Sequence, residues 1–142
     1  MCGIIGINSN KSVSASIINS LKKLEYRGYD SAGIATLHNN SINEIKSEGR
    51  VDNLEKSSLI KNMEGTIGIG HVRWATHGVP NVLNAHPHSS DKVSVVHNGI
   101  IENSDEIKKE LEKKGLQFKS QTDTEVITLL ITEALKENEP LE

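Results

Sequence analysis

The sequence contains little of what marks several classes of protein. Its 142 residues include one cysteine, which excludes an internal disulfide framework and fits a reducing compartment. Aromatic residues make up 3% of the chain, too few for a platform on which single-stranded nucleic acids stack. The N-terminus has no signal-peptide pattern, and no apolar run approaches the length of a membrane span. These absences favour a cytoplasmic globular domain.

The sequence also lacks a strong excess of positive or negative charge. The chain has 16 Lys and Arg residues against 19 Asp and Glu residues, a net charge of −3, and both signs are mixed along its length. This balance predicts no nucleic-acid partner and no membrane partner, since both need a concentrated basic surface. The length suits one domain with a single core.

Hydrophobic periodicity predicts a mixed α+β protein. An apolar run over residues 2–8 indicates a buried strand, and apolar residues at helical spacing over 12–24 indicate an amphipathic helix. Asn39-Asn40 predicts a tight turn between two strands. Asn103 and Thr122 are expected helix caps, with Gly115 ending the first of these helices and Glu125 completing a capping box in the second. Further strands are predicted over 66–74, 93–98 and 116–120, and helices over 51–60, 103–115 and 122–134.

The single cysteine, Cys2, directly follows the initiator methionine. Removal of Met1 would leave Cys2 with a free α-amino group beside its thiol, so that one residue would hold both a nucleophile and a base. The α-amino group titrates near neutral pH, at about 7.7–8.0, and can accept a proton there. The alternative is that Cys2 is a small buried hydrophobic residue.

Polar clusters follow the predicted strands, which is where sites are usually built. Asn98-Gly99 has two interpretations: a hairpin turn, or an oxyanion hole made by the Asn98 amide and the Gly99 backbone N–H. Arg73 is either a surface charge or a fork that holds a substrate carboxylate. Asp123 either stabilises a helix N-terminus or pairs with a substrate ammonium group.

Histidines are the remaining candidates for chemistry. His86-Pro87-His88 has alternating imidazoles, and His71 and His77 lie near it in the sequence. Neither a cysteine pair nor an HExxH spacing accompanies them, so the pattern gives little support for a metal site. We expect these imidazoles to form hydrogen bonds in loops, and we expect no cofactor.

The polar clusters and the first strand together resemble a known family. The stretches MCGIIGI, LEYRGYDSAGIA, GHVRWATHG, NAHPH, HNGIIEN and TDTEVI occur in the order found in the N-terminal glutaminase domain of class II glutamine amidotransferases, which are N-terminal-nucleophile hydrolases. Within that family, particular residues favour the branch that aminates fructose 6-phosphate, the glutamine–fructose-6-phosphate aminotransferases. These residues are Tyr26, Tyr29, Trp74, His77 and the NAHPH loop.

The resemblance implies a role for each matching residue in hydrolysing glutamine. Cys2 would be the nucleophile with its own α-amino group as base, and Asn98 with the Gly99 backbone would form the oxyanion hole. The other implied roles concern the bound glutamine: Asp123 holds its α-ammonium group, Trp74 lies where the site meets the ammonia path, and its α-carboxylate is held by Arg73, Thr76 and His77.

The resemblance also implies a fold and an extent. The family fold is a four-layer αββα sandwich, and members continue into sugar-isomerase-type domains that bind fructose 6-phosphate. We expect residues 1–142 to be a glutaminase domain that is a fragment of a homo-oligomeric enzyme, incomplete at the C-terminus and without those domains. The alternatives are a class II amidotransferase with another acceptor and a non-catalytic glutamine-binding domain.

Overall fold

The larger of two β-sheets has four antiparallel strands. In the computed structural model, which describes residues 2–75 and 79–136, the strand order is β1–β4–β2–β3. The strands are β1 (Gly3–Asn8), β2 (Ser31–His38), β3 (Ser41–Glu48) and β4 (Ile67–Arg73). All neighbouring strands are antiparallel. Gly3 lies opposite Val72, so the first residue of β1 and the last residues of β4 lie at the same end of the sheet.

The β2–β3 hairpin has the predicted turn. Asn39 and Asn40 have φ angles of 49° and 58°, and His38 pairs with Ser41 across them. Asparagine tolerates this left-handed region better than most residues, which explains why the sequence has two of them here.

Two helices cover one face of the larger sheet. They are α1 (Ser14–Leu24) and α2 (Val51–Lys56), the latter followed by a 3₁₀ turn over Ser58–Asn62. The helix predicted over 12–24 is confirmed, and its Ile17 and Leu21 are fully buried. A Cβ on Gly70 of β4 would lie 2.5 Å from Ile17, so the glycine lets α1 approach the sheet closely.

The second sheet and its helices form the remaining layers. Strands β5 (His88–Ser89) and β6 (Ser94–Val95) pair with each other, α4 (Glu125–Lys136) packs on them, and α3 (Ser104–Lys113) packs on α4. A Cβ on Gly33 would overlap the carbonyl group of His86, which shows how closely this layer approaches the first sheet. The four layers are helix, sheet, sheet and helix, the αββα order that the resemblance implied.

Two predicted strands differ from the structure. The strand over 93–98 contracts to Ser94–Val95, because the His97 N–H points to the His86 ring instead of a neighbouring strand. The strand over 116–120 does not form. The backbone N–H groups of Lys119 and Ser120 donate to the Glu125 carboxylate at 2.9 and 2.7 Å. These hydrogen bonds take the place of those that a neighbouring strand would accept.

The predicted caps are partly wrong. Helix α4 begins at Glu125, and because that carboxylate bonds to residues 119 and 120 it does not complete a capping box with Thr122. Asn103 precedes α3 but makes no side-chain cap hydrogen bond. Gly115 does end α3, with a φ of 86°, and the Leu116 N–H donates back to the Leu111 carbonyl at 3.1 Å. Among the described residues, no helix is long and apolar enough to cross a membrane.

Candidate active site

A cavity of about 220 Å³ opens at the end of the sheet where β1 begins and β4 ends. Cys2 reaches it from just before β1, Arg73 from the last position of β4, and Asp123 from the loop before α4. The antiparallel pairing of β1 and β4 brings Cys2 next to Arg73 across more than 70 residues of sequence. The lining residues are Cys2, Arg73, Trp74, His86, His97, Asn98, Gly99, Ile100, Thr122, Asp123 and Thr124.

The Cys2 thiol faces this cavity and contacts backbone. The Trp74 N–H donates to Cys2 Sγ at 3.2 Å, and Sγ lies 3.6 Å from the Trp74 carbonyl oxygen. Cys2 is only partly buried, so the alternative that it is a core hydrophobic residue is wrong. The Trp74 N–H therefore holds the sulfur in place beside the cavity.

Asn98 and Gly99 lie on the same side of the cavity as Cys2. The Asn98 side-chain nitrogen is 3.5 Å from the Cys2 carbonyl oxygen. Between Gly99 and α3 the described chain forms no strand, so the dipeptide is not a hairpin turn. A Cβ on Gly99 would lie 2.7 Å from His97 Nε2, so a larger residue here would displace the His97 ring.

Arg73 is buried, with 3% of its surface exposed, so the surface-charge interpretation is wrong. Its NH1 atom lies 3.8 Å from Oδ1 of Asp30, a residue that precedes β2. A buried guanidinium needs such a negative partner to offset its desolvation. Arg73 is also one of the residues that line the cavity, where a guanidinium can pair with a carboxylate.

Asp123 is 9% exposed and provides negative charge in the same cavity. Its Oδ2 atom accepts the Ile101 N–H at 2.8 Å, and Oδ1 lies 3.5 Å from Thr124 Oγ1. These bonds fix the carboxylate before α4 begins. The cavity therefore presents a cation and an anion, the complement of the two ends of a free amino acid.

Two predicted residues, Thr76 and His77, lie outside the described residues. Several other lining residues, including His97, Ile100 and Thr124, were not predicted from the sequence to have a role, and neither was Asp30, which pairs with Arg73. A signal was present for Asp30, because it lies in the polar stretch Tyr26–Ser31 and directly precedes an apolar strand.

The histidines form a buried network. The His71 and His86 rings stack with centroids 4.2 Å apart, and His86 meets His88 edge-on at 4.7 Å. His71 Nε2 lies 3.1 Å from the His97 carbonyl oxygen, and His88 Nε2 lies 2.8 Å from Thr122 Oγ1. These are the hydrogen bonds to loop residues that were expected. No group of His, Cys, Asp or Glu is arranged to hold a metal in residues 2–75 and 79–136.

Burial keeps this network uncharged at neutral pH. Desolvation lowers the pKa of His71 to about 4 and that of His88 to about 3, and it lowers the pKa of His86 as well. The positive charges of Arg73 and Lys46 lower the pKa of His88 further. Neutral imidazoles can stack and accept hydrogen bonds beside the cavity without repelling one another.

Stability should therefore fall in mild acid. Unfolded histidine has a pKa of about 6.5, so below that pH the unfolded chain binds more protons than the native state. The free energy of unfolding should be undiminished above pH 6.5 and decrease towards pH 4, by about 1.4 kcal/mol per pH unit for each of the three histidines. Denaturant titrations between pH 8 and pH 5 measure this slope. His88→Gln should reduce the slope by about 1.4 kcal/mol per pH unit, the contribution of one proton. A free energy of unfolding that does not change with pH in the unsubstituted protein would contradict the assignment of these histidines as buried and uncharged.

The comparisons with known proteins agree with this geometry. Residues 56–137, more than half of the chain, match a family described as glutamine amidotransferase domain. The chain belongs to this family. The chain is 52% identical over 143 aligned positions to the glutamine–fructose-6-phosphate aminotransferase (isomerizing) of Bradyrhizobium diazoefficiens, and 54% identical over 136 to that of Bartonella quintana. These alignments cover 100% and 96% of the chain but 24% and 22% of the relatives, so the chain spans about a quarter of their length.

Solved amidotransferases share the fold. A glutamine phosphoribosylpyrophosphate amidotransferase from B. subtilis, complexed with ADP and GMP, superposes with a TM-score of 0.78 at 27% identity. It covers 93% of this chain and 29% of its own. The solved structure of the allosteric regulatory enzyme of purine biosynthesis gives a TM-score of 0.79 at 28% identity, and it too covers 93% of this chain and 29% of its own. The glutamine amidotransferase domain therefore has the N-terminal-nucleophile architecture that the sequence predicted.

Proposed function

We propose that this glutamine amidotransferase domain hydrolyses the side-chain amide of glutamine to glutamate and ammonia through a thioester on Cys2. One observation carries the proposal: Cys2, Asn98, Gly99, Arg73 and Asp123 line a single cavity. A nucleophile, two oxyanion donors and a pair of opposite charges are what this reaction needs in one place. A domain that only bound glutamine would need no nucleophile, which counts against the non-catalytic alternative.

The proposed reaction begins once Met1 has been removed. The α-amino group of Cys2 takes the thiol proton, and Sγ attacks the amide carbon of the glutamine side chain. The Asn98 side-chain amide and the Gly99 N–H stabilise the oxyanion of the tetrahedral intermediate. The protonated α-amino group then gives its proton to the leaving ammonia, and water hydrolyses the thioester. No metal or cofactor takes part in these steps.

Substrate orientation follows from the charges in the cavity. The Arg73 guanidinium binds the α-carboxylate of glutamine, and Asp123 binds the α-ammonium group. We assign Thr76 and His77 to the carboxylate end beside Arg73, and Trp74 to the exit for ammonia. The Trp74 side chain is 55% exposed while its backbone contacts Cys2, which supports a place at the mouth of the site.

The names of the relatives support a proposal for the acceptor of the ammonia. We propose that the chain is the glutaminase domain of a longer, homo-oligomeric cytoplasmic enzyme whose other half converts fructose 6-phosphate to glucosamine 6-phosphate. The support is the identity of 52–54% to proteins named for that reaction, of which the chain spans about a quarter. Acceptor assays with the complete gene product distinguish this enzyme from a class II amidotransferase with another acceptor. Formation of glucosamine 6-phosphate from glutamine and fructose 6-phosphate is the expected result.

The role of Arg73 tests the assignment of glutamine as substrate. Losing a hydrogen-bonded charged partner costs roughly 1.5–3 kcal/mol, so Arg73→Ala should lower kcat/KM for glutamine by about one to two decades. Glutamate release measures this, and Arg50→Ala, at an exposed position, is the matched control. If the enzyme uses glutamine lacking its α-carboxylate as well as glutamine itself, the assignment is wrong.

A further inference from the structure

The loop before β2 runs alongside the end of β4. Ser31, the first residue of β2, lies opposite Arg73, the last residue of β4. Asp30 extends this pairing, because its N–H donates to the Arg73 carbonyl at 2.9 Å. On its other side, the Asp30 carbonyl accepts the Gly49 N–H at 2.8 Å. The Asp30 backbone is thus held by both neighbouring segments.

The Asp30 side chain reaches two different parts of the segment 73–75. Its Oδ1 atom lies 3.8 Å from Arg73 NH1 and accepts the Ser31 hydroxyl at 2.9 Å. Its Oδ2 atom accepts the backbone N–H of Ala75. With 16% of this side chain exposed, water competes little for these bonds. One carboxylate therefore ties the Arg73 guanidinium to the backbone two residues later.

Trp74 lies between the two points that Asp30 holds, and it contacts the nucleophile. Its N–H donates to Cys2 Sγ at 3.2 Å. Its indole covers Gly28, where the φ angle is 130° and an added Cβ would lie 2.5 Å from the ring. The orientation of the Trp74 peptide is thus set by its neighbours on either side and by the loop beneath its ring.

We propose that Asp30 is a positioning residue for the glutaminase reaction, one whose carboxylate fixes both the Arg73 guanidinium and the Trp74 N–H that faces Cys2. This rests on the proposed function. Asp30 lines no part of the cavity described above, so it acts through these two groups and not on the substrate. It couples binding of the glutamine α-carboxylate to the geometry around the thiol.

Asp30→Asn is the substitution that tests the role of the carboxylate most directly. Asparagine keeps the shape but replaces one acceptor oxygen with an NH₂ donor, which must face either the Ala75 N–H or the Arg73 guanidinium. Two donors then meet in a buried place, and the negative charge that balances Arg73 is lost. The segment should shift, although the backbone bonds of Asp30 to Arg73 and Gly49 remain.

Steady-state kinetics of the complete gene product test the proposal. Asp30→Asn should raise KM for glutamine by about 10- to 100-fold, the loss expected when a buried charge loses its oppositely charged neighbour, with a smaller decrease in kcat. It should also reduce the preference for glutamine over an analogue without the α-carboxylate. Asp52→Asn, which removes a carboxylate from a surface ion pair with Lys22, is the matched control. An Asp30→Asn enzyme with unchanged KM and unchanged preference, whatever its melting temperature, would overturn the proposal.

Fluorescence provides a readout that does not depend on activity. Trp74 is the only tryptophan in the 142 residues, so its emission in this chain reports on the segment 73–75 alone. We expect Asp30→Asn to change the emission maximum and increase quenching by acrylamide, while Asp52→Asn leaves both unchanged. Spectra of Asp30→Asn identical to the parent would overturn the positioning role. If the parent enzyme releases no glutamate but Asp30→Asn still changes the Trp74 fluorescence, the proposed function is refuted. The contact between Asp30 and the segment 73–75 would then stand on its own.

Discussion

Replacing Cys2 with alanine is expected to abolish glutamine hydrolysis, lowering kcat by at least about 10⁴-fold. The thiol is the nucleophile in the proposed reaction, and no second cysteine exists in the 142 residues to replace it. Glutamate release from the complete gene product measures the loss. The variant should keep the parent's melting temperature within a few degrees, since Cys2 is partly exposed and not part of the core. Residual turnover at a tenth of the parent rate would contradict the assignment.

Blocking the amine should have the same effect while leaving the thiol in place. An N-terminal tag that stays attached removes the free α-amino group, and with it the base that takes the thiol proton. The matched control is the same protein after the tag has been cleaved to expose Cys2. Parent-level rates from a tagged protein shown by mass to be uncleaved would refute the N-terminal-amine mechanism.

Replacing Asn98 with alanine should lower kcat by roughly 10²–10³, the usual loss for one oxyanion-hole donor, with a smaller effect on KM. The Asn98 side-chain nitrogen lies 3.5 Å from the Cys2 carbonyl oxygen, which places it beside the residue that carries the thiol. Kinetics with glutamine separate the two parameters. Asn43→Ala, at an exposed position of β3, is the control. A change confined to KM would make Asn98 a ground-state binding residue instead.

The first sheet could be predicted well because its signals are local. The apolar run before Asn8, the helical spacing around Ile17 and the Asn39-Asn40 turn each need only a short window of sequence, and the structure confirms all three. The second half was predicted less well, although the interaction responsible is also local. The Glu125 carboxylate accepts the backbone N–H groups of residues 119 and 120, so neither the predicted strand over 116–120 nor the capping box with Thr122 forms, and the apolar pattern does not distinguish these outcomes.

The candidate site shows the same division. Cys2 and Asn98 could be singled out from their residue types and neighbours, and the structure brings them to one cavity. Whether Arg73 lay on the surface or in the interior could not be decided from sequence, because burial depends on the pairing of β4 with β2. The part played by Asp30 was missed for the same reason, since its partners are 43 to 45 residues away. The buried stack of His71 and His86 likewise arises only when two layers meet.

The most direct test of the central claim is the intact mass of the protein after treatment with a glutamine-mimicking electrophile. We expect a mass that lacks Met1 and is increased by a single adduct, which peptide mapping places on Cys2. Excess glutamine should slow the labelling, and Cys2→Ala should acquire no adduct. Retention of Met1 in the labelled, active protein, or equal labelling of Cys2→Ala, would contradict the claim that Cys2 acts as an N-terminal nucleophile.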